Sequence, residues 1–269
     1  MTARQPVQLS SDARTDTGRT RAANEDAYLA VPPVFAVADG MGGHEAGAQA
    51  SAHVVAALRE ILCAGGAVDL MRSSAAIDEA SRRVSALAAT RERGAGSTLA
   101  GVILVDHGGR PHWLIVNVGD SRVYRLIGGY LEQLTVDHSL VQERVDAGTL
   151  RPEDRATAPD KNVITRALGS ADARADSWLM PVTTGERLLV CSDGLHGELS
   201  DAQLREILVA GGRPAATTAA LIQAANRAGG RDNVTAVVVD VLTGGDGGEG
   251  PADDDGSHAW TDDGDTVPV

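Results

Sequence analysis

The chain has 269 residues and a formal net charge of −13, with 37 Asp and Glu against 24 Lys and Arg. It is 43% hydrophobic but only 3% aromatic, so any core must be built from Ala, Val, Leu and Ile. The acidity argues against electrostatic binding to nucleic acid or to an anionic membrane surface, because both present negative charge. No run nears the roughly 18 apolar residues of a membrane span, and Met1-Thr2-Ala3-Arg4-Gln5-Pro6 has no hydrophobic signal core. Cys63 and Cys191 match no metal or redox spacing. They read as two free, buried thiols in a reducing cytoplasm.

In chain order, Glu25-Asp26 comes before a short apolar run at 27–31. A strand is expected at 34–38, where Val, Phe and Ala lead into Asp-Gly. Helical spacing follows at Ala50, Val54, Ala57, Leu58 and Ile61, then at Ile77, Ala80, Val84, Leu87 and Ala88. Strands are expected at 98–105, 113–118 and 122–126. Ile127-Gly128-Gly129-Tyr130 reads as a hairpin turn into 130–134. The polar stretch 137–166 reads as a flap with a short helical piece at 140–146. Beyond it come a strand at 187–191, a helix at 201–209 capped by Ser200, and a helix at 215–228 stopped by Gly229-Gly230. A last strand is expected at 234–242.

Residues 1–243 read as one domain. Residues 244–269 carry eight acidic residues and no Lys or Arg, are rich in Gly, and are expected to be disordered. An acidic docking tail anchored by Trp260 is the alternative. Pairs of strands followed by pairs of helices suggest antiparallel sheets with segregated helices, an α+β class.

The informative pattern is a set of Asp residues just after apolar strands: Asp39-Gly40, Asp120 and Asp193-Gly194, with Asp232-Asn233 opening the last strand. A carboxylate at a strand end is held on a rigid element. Several converging carboxylates repel one another and call for a cation, and hard oxygen ligands suit Mg²⁺ or Mn²⁺. A single Asp-Gly usually marks only a turn. Asp39-Gly40-Met41-Gly42-Gly43 departs from that, because one tight turn does not need three glycines. Arg21, five residues before Asp26, could fork onto phosphate oxygens.

These residues carry a family resemblance. Arg21-Ala22-Ala23-Asn24-Glu25-Asp26-Ala27 and Val37-Ala38-Asp39-Gly40-Met41-Gly42-Gly43-His44 resemble two motifs of the metal-dependent, type 2C Ser/Thr protein phosphatases (the PPM family) in their compact bacterial form. Ser97-Thr98-Leu99-Ala100, Val118-Gly119-Asp120-Ser121-Arg122, Asp137-His138-Ser139-Leu140-Val141 and Val163-Ile164-Thr165-Arg166-Ala167-Leu168-Gly169 follow in family order. Cys191-Ser192-Asp193-Gly194-Leu195 and Arg231-Asp232-Asn233-Val234-Thr235 complete the set, and the match spans about 7–242.

The resemblance implies a four-layer α-β-β-α sandwich of two antiparallel sheets flanked by helices. It implies hydrolysis of phosphoserine and phosphothreonine in proteins by a metal-activated water, without a phosphoenzyme. Two Mn²⁺ or Mg²⁺ ions and a third are implied. Asp39 would bridge two of them, Asp193 and Asp232 would complete one shell, and the Gly40 carbonyl would bind the other. Glu25 would act through a metal-bound water. Asp120 with Asp193 would hold the third ion, with Asn162 contributing from the flap. Arg21 would bind the substrate phosphate.

Met41 stands where many eukaryotic relatives have a proposed general-acid His, and a thioether cannot donate a proton. His44 is a nearby substitute, but a metal-bound water is the expected donor. His196 is expected at the rim of the site and not as a ligand, and His53 on a helix as surface or core. The expected partners are phosphorylated proteins, including a Ser/Thr kinase that the enzyme opposes in the cytoplasm, with no nucleic acid and no membrane, and the protein acting as a monomer. The rivals are a partner-switching phosphatase acting on an anti-sigma-factor antagonist, a non-catalytic pseudophosphatase and a two-metal nuclease of another fold.

Overall fold

The computed structural model describes residues 6–43 and 45–246. One sheet follows the order β1 (Gln8–Asp16), β11 (Val234–Thr243), β10 (Arg187–Cys191), β7 (Arg122–Ile127), β8 (Tyr130–Gln133). The other follows β2 (Asp26–Val31), β3 (Val34–Met41), β5 (Leu99–His107), β6 (Arg110–Val118), β9 (Asp176–Pro181), with the short β4 (Gly96–Ser97) paired to β3. Every one of these strand pairs is antiparallel.

Three hydrophobic clusters define the layers. Val34, Ala36 and Ala38 of β3 face α1 (Glu45–Leu62) and α2 (Leu70–Ala88), while Phe35 and Val37 face the other sheet. In β11, Val237, Val239 and Val241 face the middle. Val234, Ala236 and Val238 face α4 (Asp193–His196), α5 (Asp201–Ala210) and α6 (Pro214–Ala228). Successive side chains of a strand point to opposite faces. A strand buried on both faces therefore reads as an unbroken apolar run, which is why β3, β5, β6, β10 and β11 were visible in the sequence. The result is the expected four-layer α-β-β-α sandwich. With few aromatic residues, its middle layer centres on Trp113, packed edge-on to Phe35 at 6.2 Å. The Trp113 indole N–H donates to the buried Glu186 carboxylate at 2.9 Å.

Local signals hold where they rest on stereochemistry. Gly128 and Gly129 both take positive φ in the β7–β8 hairpin, as a two-residue turn of matching twist requires. Ser200 caps α5 in a capping box with Gln203. The flap contains α3 (Leu140–Asp146) and a 3-10 turn at Pro152–Thr157.

The edge strands β1 and β9 escaped the sequence reading, and the edge strand β2 showed in it only as a short apolar run. β1 is mostly polar: only Leu9 and Ala13 pack against the middle layer, and Asp12 on its other face is bonded to Thr218 of α6. β9 mixes Asp, Ser and Pro with Trp178 and Leu179. Cys191 is buried, but Cys63 is only half-buried at the end of α1, which corrects the reading of two buried thiols.

Residues 247–269, most of the acidic tail, lie outside the described residues, as does His44. Gly244 to Asp246 run beside the turn before β10: the Asp246 N–H donates to Val182 O and the Thr184 N–H to Asp246 O. Among the described residues no helix is long and apolar enough to cross a membrane.

Candidate active site

The strand ends that carry Asp residues meet at one end of the sandwich. Asp39 lies near the end of β3 and stands opposite Asp26 in the β2–β3 register. Asp120 follows β6, Asp193 opens α4 after β10, and Asp232 precedes β11. A cleft of about 350 Å³ there is lined by Arg21, Glu25, Asp39, Gly40, Asp193 and Asp232, with Asn162 reaching it from the flap. Asp120 lines an adjoining cavity of about 390 Å³ that shares Asp193 and Asn162 with the cleft. Every residue expected to hold metal or phosphate therefore borders one of these two connected spaces.

Backbone and hydroxyl groups hold the carboxylates in place. The Asp39 N–H donates to Thr98 Oγ1 at 2.9 Å, and Thr98 Oγ1 pairs with Ser121 Oγ at 2.8 Å. Asp39 on one sheet and the residue after Asp120 are thus joined through two buried hydroxyls. The Asn233 side chain accepts from the Glu25 N–H at 2.8 Å and donates to Thr17 O and Ala23 O, both at 2.9 Å. It thereby staples the 17–25 loop to the start of β11. His53 is exposed on α1. His196 is half-buried, and its ring Nε2 bonds the Asp120 carbonyl at 2.9 Å, which makes it a support for Asp120.

Two glycines let backbone oxygens and carboxylates crowd together. A Cβ on Gly47, in the first turn of α1, would lie 1.9 Å from Glu25 Oε2 and 2.9 Å from Gly40 O. Those two oxygens therefore face the same small volume, beside the helix N-terminus. Gly47→Ala should displace Glu25 and lower activity at limiting Mn²⁺ by about tenfold. Activity recovered by excess Mn²⁺, with circular dichroism unchanged, is the outcome that fits.

The electrostatics are those of like charges removed from water. Burial pushes the Asp26 carboxyl up to about 7, against the hydrogen bonds that Thr235 and Ser192 donate to it. Burial and Asp232 raise Asp193 to about 6. Asp39 and Asp120 lie well above the ordinary carboxylate range, through burial and then neighbouring Asp charges. Asp193 and Asp39 press on one another as like charges, which disfavours both being ionised without a cation.

Oδ1 of Asp26, of Asp120 and of Asp193 is buried without a hydrogen-bond partner. Buried polar atoms are normally paired, and three orphaned carboxylate oxygens fit a hard divalent cation. Among the described residues no three His, Cys, Asp or Glu side chains form a ready-made metal-holding group. Arg21 Nη2 donates to Asp232 at 2.6 Å, and Ser192 and Thr235 donate to Asp26 at 2.8 and 2.6 Å. The donor chemistry and burial therefore fit a metal, while Asp232 is turned toward Arg21.

The family model described as protein phosphatase 2C matches residues 18–237. The chain belongs to the protein phosphatase 2C family. It is 39% identical over 246 residues to the Ser/Thr protein phosphatase PstP of Mycobacterium tuberculosis, covering 89% of this chain and 46% of PstP. The chain thus spans about half the length of that curated relative. It is 35% identical to the Ser/Thr phosphatase stp of Listeria monocytogenes, covering 86% of this chain and 96% of stp. The crystal structure of PstP superposes with a TM-score of 0.80 at 36% identity, covering 88% of this chain and all of that one. The PstP catalytic domain, solved in complex with two manganese ions, superposes equally well at 35% identity.

Asp26 is the residue that the sequence underrated. It was visible only as half of an acidic pair, yet it is half-buried, bonded to Ser192 and Thr235 from the side of the opposite sheet and paired in register with Asp39. Its alternation with apolar Ala27 could not show which sheet face it served. Cys191 carries no nucleophile, because burial raises its thiol to about 12.

Proposed function

We propose that the chain is a metal-dependent phosphatase that hydrolyses phosphoserine and phosphothreonine in proteins. The observation that carries the reading is the convergence of Asp39, Asp120 and Asp193, half-buried or buried and in part unpaired, on a cleft that also holds Arg21 and on the cavity beside it. Asp39, Asp193, Asp232 and the Gly40 carbonyl would hold two Mn²⁺ or Mg²⁺ ions, Glu25 through water. Asp120 with Asp193, and Asn162 from the flap, would hold a third. Bound ions would supply an activated water at neutral pH and charge neutralisation at the phosphoryl group.

The remaining work falls to this chain's own groups. Arg21 is half-exposed at the cleft mouth and free to exchange Asp232 for a substrate phosphate. Met41 lines the cleft and has no proton to give, so the proton for the leaving alkoxide would come from a water held at the site. Thr98, Ser121 and Asn233 keep the carboxylate-bearing backbone in place. Phosphorylated proteins, including a Ser/Thr kinase of the same cytoplasm, are the substrates in this reading, and the protein acts as a monomer in signalling.

Hydrolysis of a phosphothreonine peptide with and without Mn²⁺ tests the activity. Strong metal dependence and loss on chelation are expected, and turnover unaffected by a chelator would sink the reading. Arg21→Ala should raise KM for the peptide by about tenfold or more, through loss of a charge-assisted contact. Arg21→Lys should recover only part of it, because an ammonium cannot fork onto two oxygens.

A further inference from the structure

His138 opens the flap, far from the cleft in sequence, and is 94% buried with no part in the reading above. Its Nδ1 lies 3.1 Å from the Gly119 backbone nitrogen. A backbone N–H can only donate, so Nδ1 is the acceptor and the ring proton sits on Nε2. Nε2 lies 3.0 Å from Asp176 Oδ2 and therefore donates to it. Arg166, at the far end of the flap, donates to Asp176 Oδ1 at 2.8 Å.

The two ends of the flap are joined at this point. The Thr165 N–H donates to His138 O, and the His138 N–H donates to Gly119 O at 2.9 Å. Asn117 Nδ2 donates to the same Gly119 oxygen at 3.2 Å. Both backbone polar groups of Gly119, its N–H and its C=O, are thus clamped, immediately before Asp120. No side chain in this chain of contacts touches the Asp120 carboxylate.

We propose that His138, anchored by Asp176, is a positioning residue that sets the backbone of Asp120 and couples it to the base of the flap. The proposal builds on the assignment of Asp120 as a metal ligand. A carboxylate whose backbone wanders loses affinity for its ion, because the ordering must then be supplied on binding. The alternative is a purely structural role, in which His138 stabilises the flap base and leaves Asp120 where it is.

Three variants separate these roles. In His138→Ala the Gly119 amide should exchange its hydrogen at least about tenfold faster, and the Mn²⁺ needed for half-maximal thermal protection and activity should rise about tenfold. His138→Asn keeps an acceptor in the place of Nδ1, so it should restore the slow exchange and most of the Mn²⁺ response. Asp176→Ala, at a half-exposed position, should shift both measurements in the same direction by a smaller factor. It also keeps the test alive if His138→Ala does not fold.

A folded variant with native Gly119 exchange and a native Mn²⁺ titration would overturn the proposal, even if its melting temperature fell. If the unaltered protein itself shows no Mn²⁺ response, the phosphatase reading fails. The Gly119 exchange rates would still decide whether His138 holds that peptide.

Discussion

Asp39→Asn should reduce phosphopeptide hydrolysis by about a thousandfold and at the same time raise the melting temperature of the chelated protein. The first effect follows because one neutral amide cannot replace the carboxylate proposed to be shared between cations, and loss of such electrostatic stabilisation costs about 10²–10³ in rate. The second follows because Asp39 lies among Asp26, Asp193, Asp120 and Asp232, and burial and repulsion already push its carboxyl well above the ordinary range. An isosteric amide removes that repulsion. Asp193→Asn should behave alike, since burial and Asp232 press on it in the same way. Calorimetry with a chelator and with Mn²⁺ checks both parts. The variants should melt higher than the native protein without metal and gain little when metal is added. A variant with native activity, or one that melts lower without metal, contradicts the assignment. Stability given up for function is expected where charges are gathered for a ligand.

Chelated protein should melt at a higher temperature near pH 5 than near pH 7.5. Asp26 titrates at about 7 and Asp193 at about 6 in the folded protein, with Asp39 and Asp120 raised further. Unfolded carboxylates titrate near 4. Between those values the folded state binds more protons than the unfolded state, so stability falls as pH rises. The contribution is complete below about pH 4 and is lost as pH passes through the folded values.

His196 opposes this, because burial and then Arg122 lower its imidazole to about 3. Its unfolded form takes up a proton below about pH 6.5, which destabilises the fold as pH falls. From pH 6.5 to 5 that costs about 2 kcal/mol. Asp26 alone contributes about 3 kcal/mol in the other direction between pH 7 and 5, and Asp39, Asp120 and Asp193, also raised, act in the same direction. The carboxyls therefore win. Saturating Mn²⁺ should flatten or reverse the trend, because metal binds only the deprotonated groups. A melting temperature that rises with pH in chelator would contradict the burial of these groups as acids.

The strands legible in the sequence were the ones buried on both faces. β3, β5, β6, β10 and β11 read as apolar runs because helices cover one side and the second sheet covers the other. β1 and β9 were illegible because an edge strand pairs on one side only and tolerates polar residues. Helix ends were legible where capping chemistry was local, as at Ser200 and Gln203. The carboxylates were legible as Asp residues at strand ends, and motif order along the chain identified the family. What hid the supports was distance. Thr98 and Ser121, Asn233 and Glu25, and His138 and Gly119 meet across 23, 208 and 19 residues.

Length, composition and charge by themselves determined that this is an acidic protein with an aliphatic core. They located the excess charge in a Gly- and Asp-rich tail and in six carboxyl groups at strand ends, without which residues 1–243 would sum to +1. Only the tertiary structure decided that Asp26, Asp39, Asp120 and Asp193 are gathered in one place, Asp120 buried and the others half-buried, with one buried oxygen each on Asp26, Asp120 and Asp193 left unpaired. The reason is physical. A carboxylate's ionisation depends on water and on charges within a few ångströms, and that neighbourhood does not exist until two sheets from distant parts of the chain are stacked.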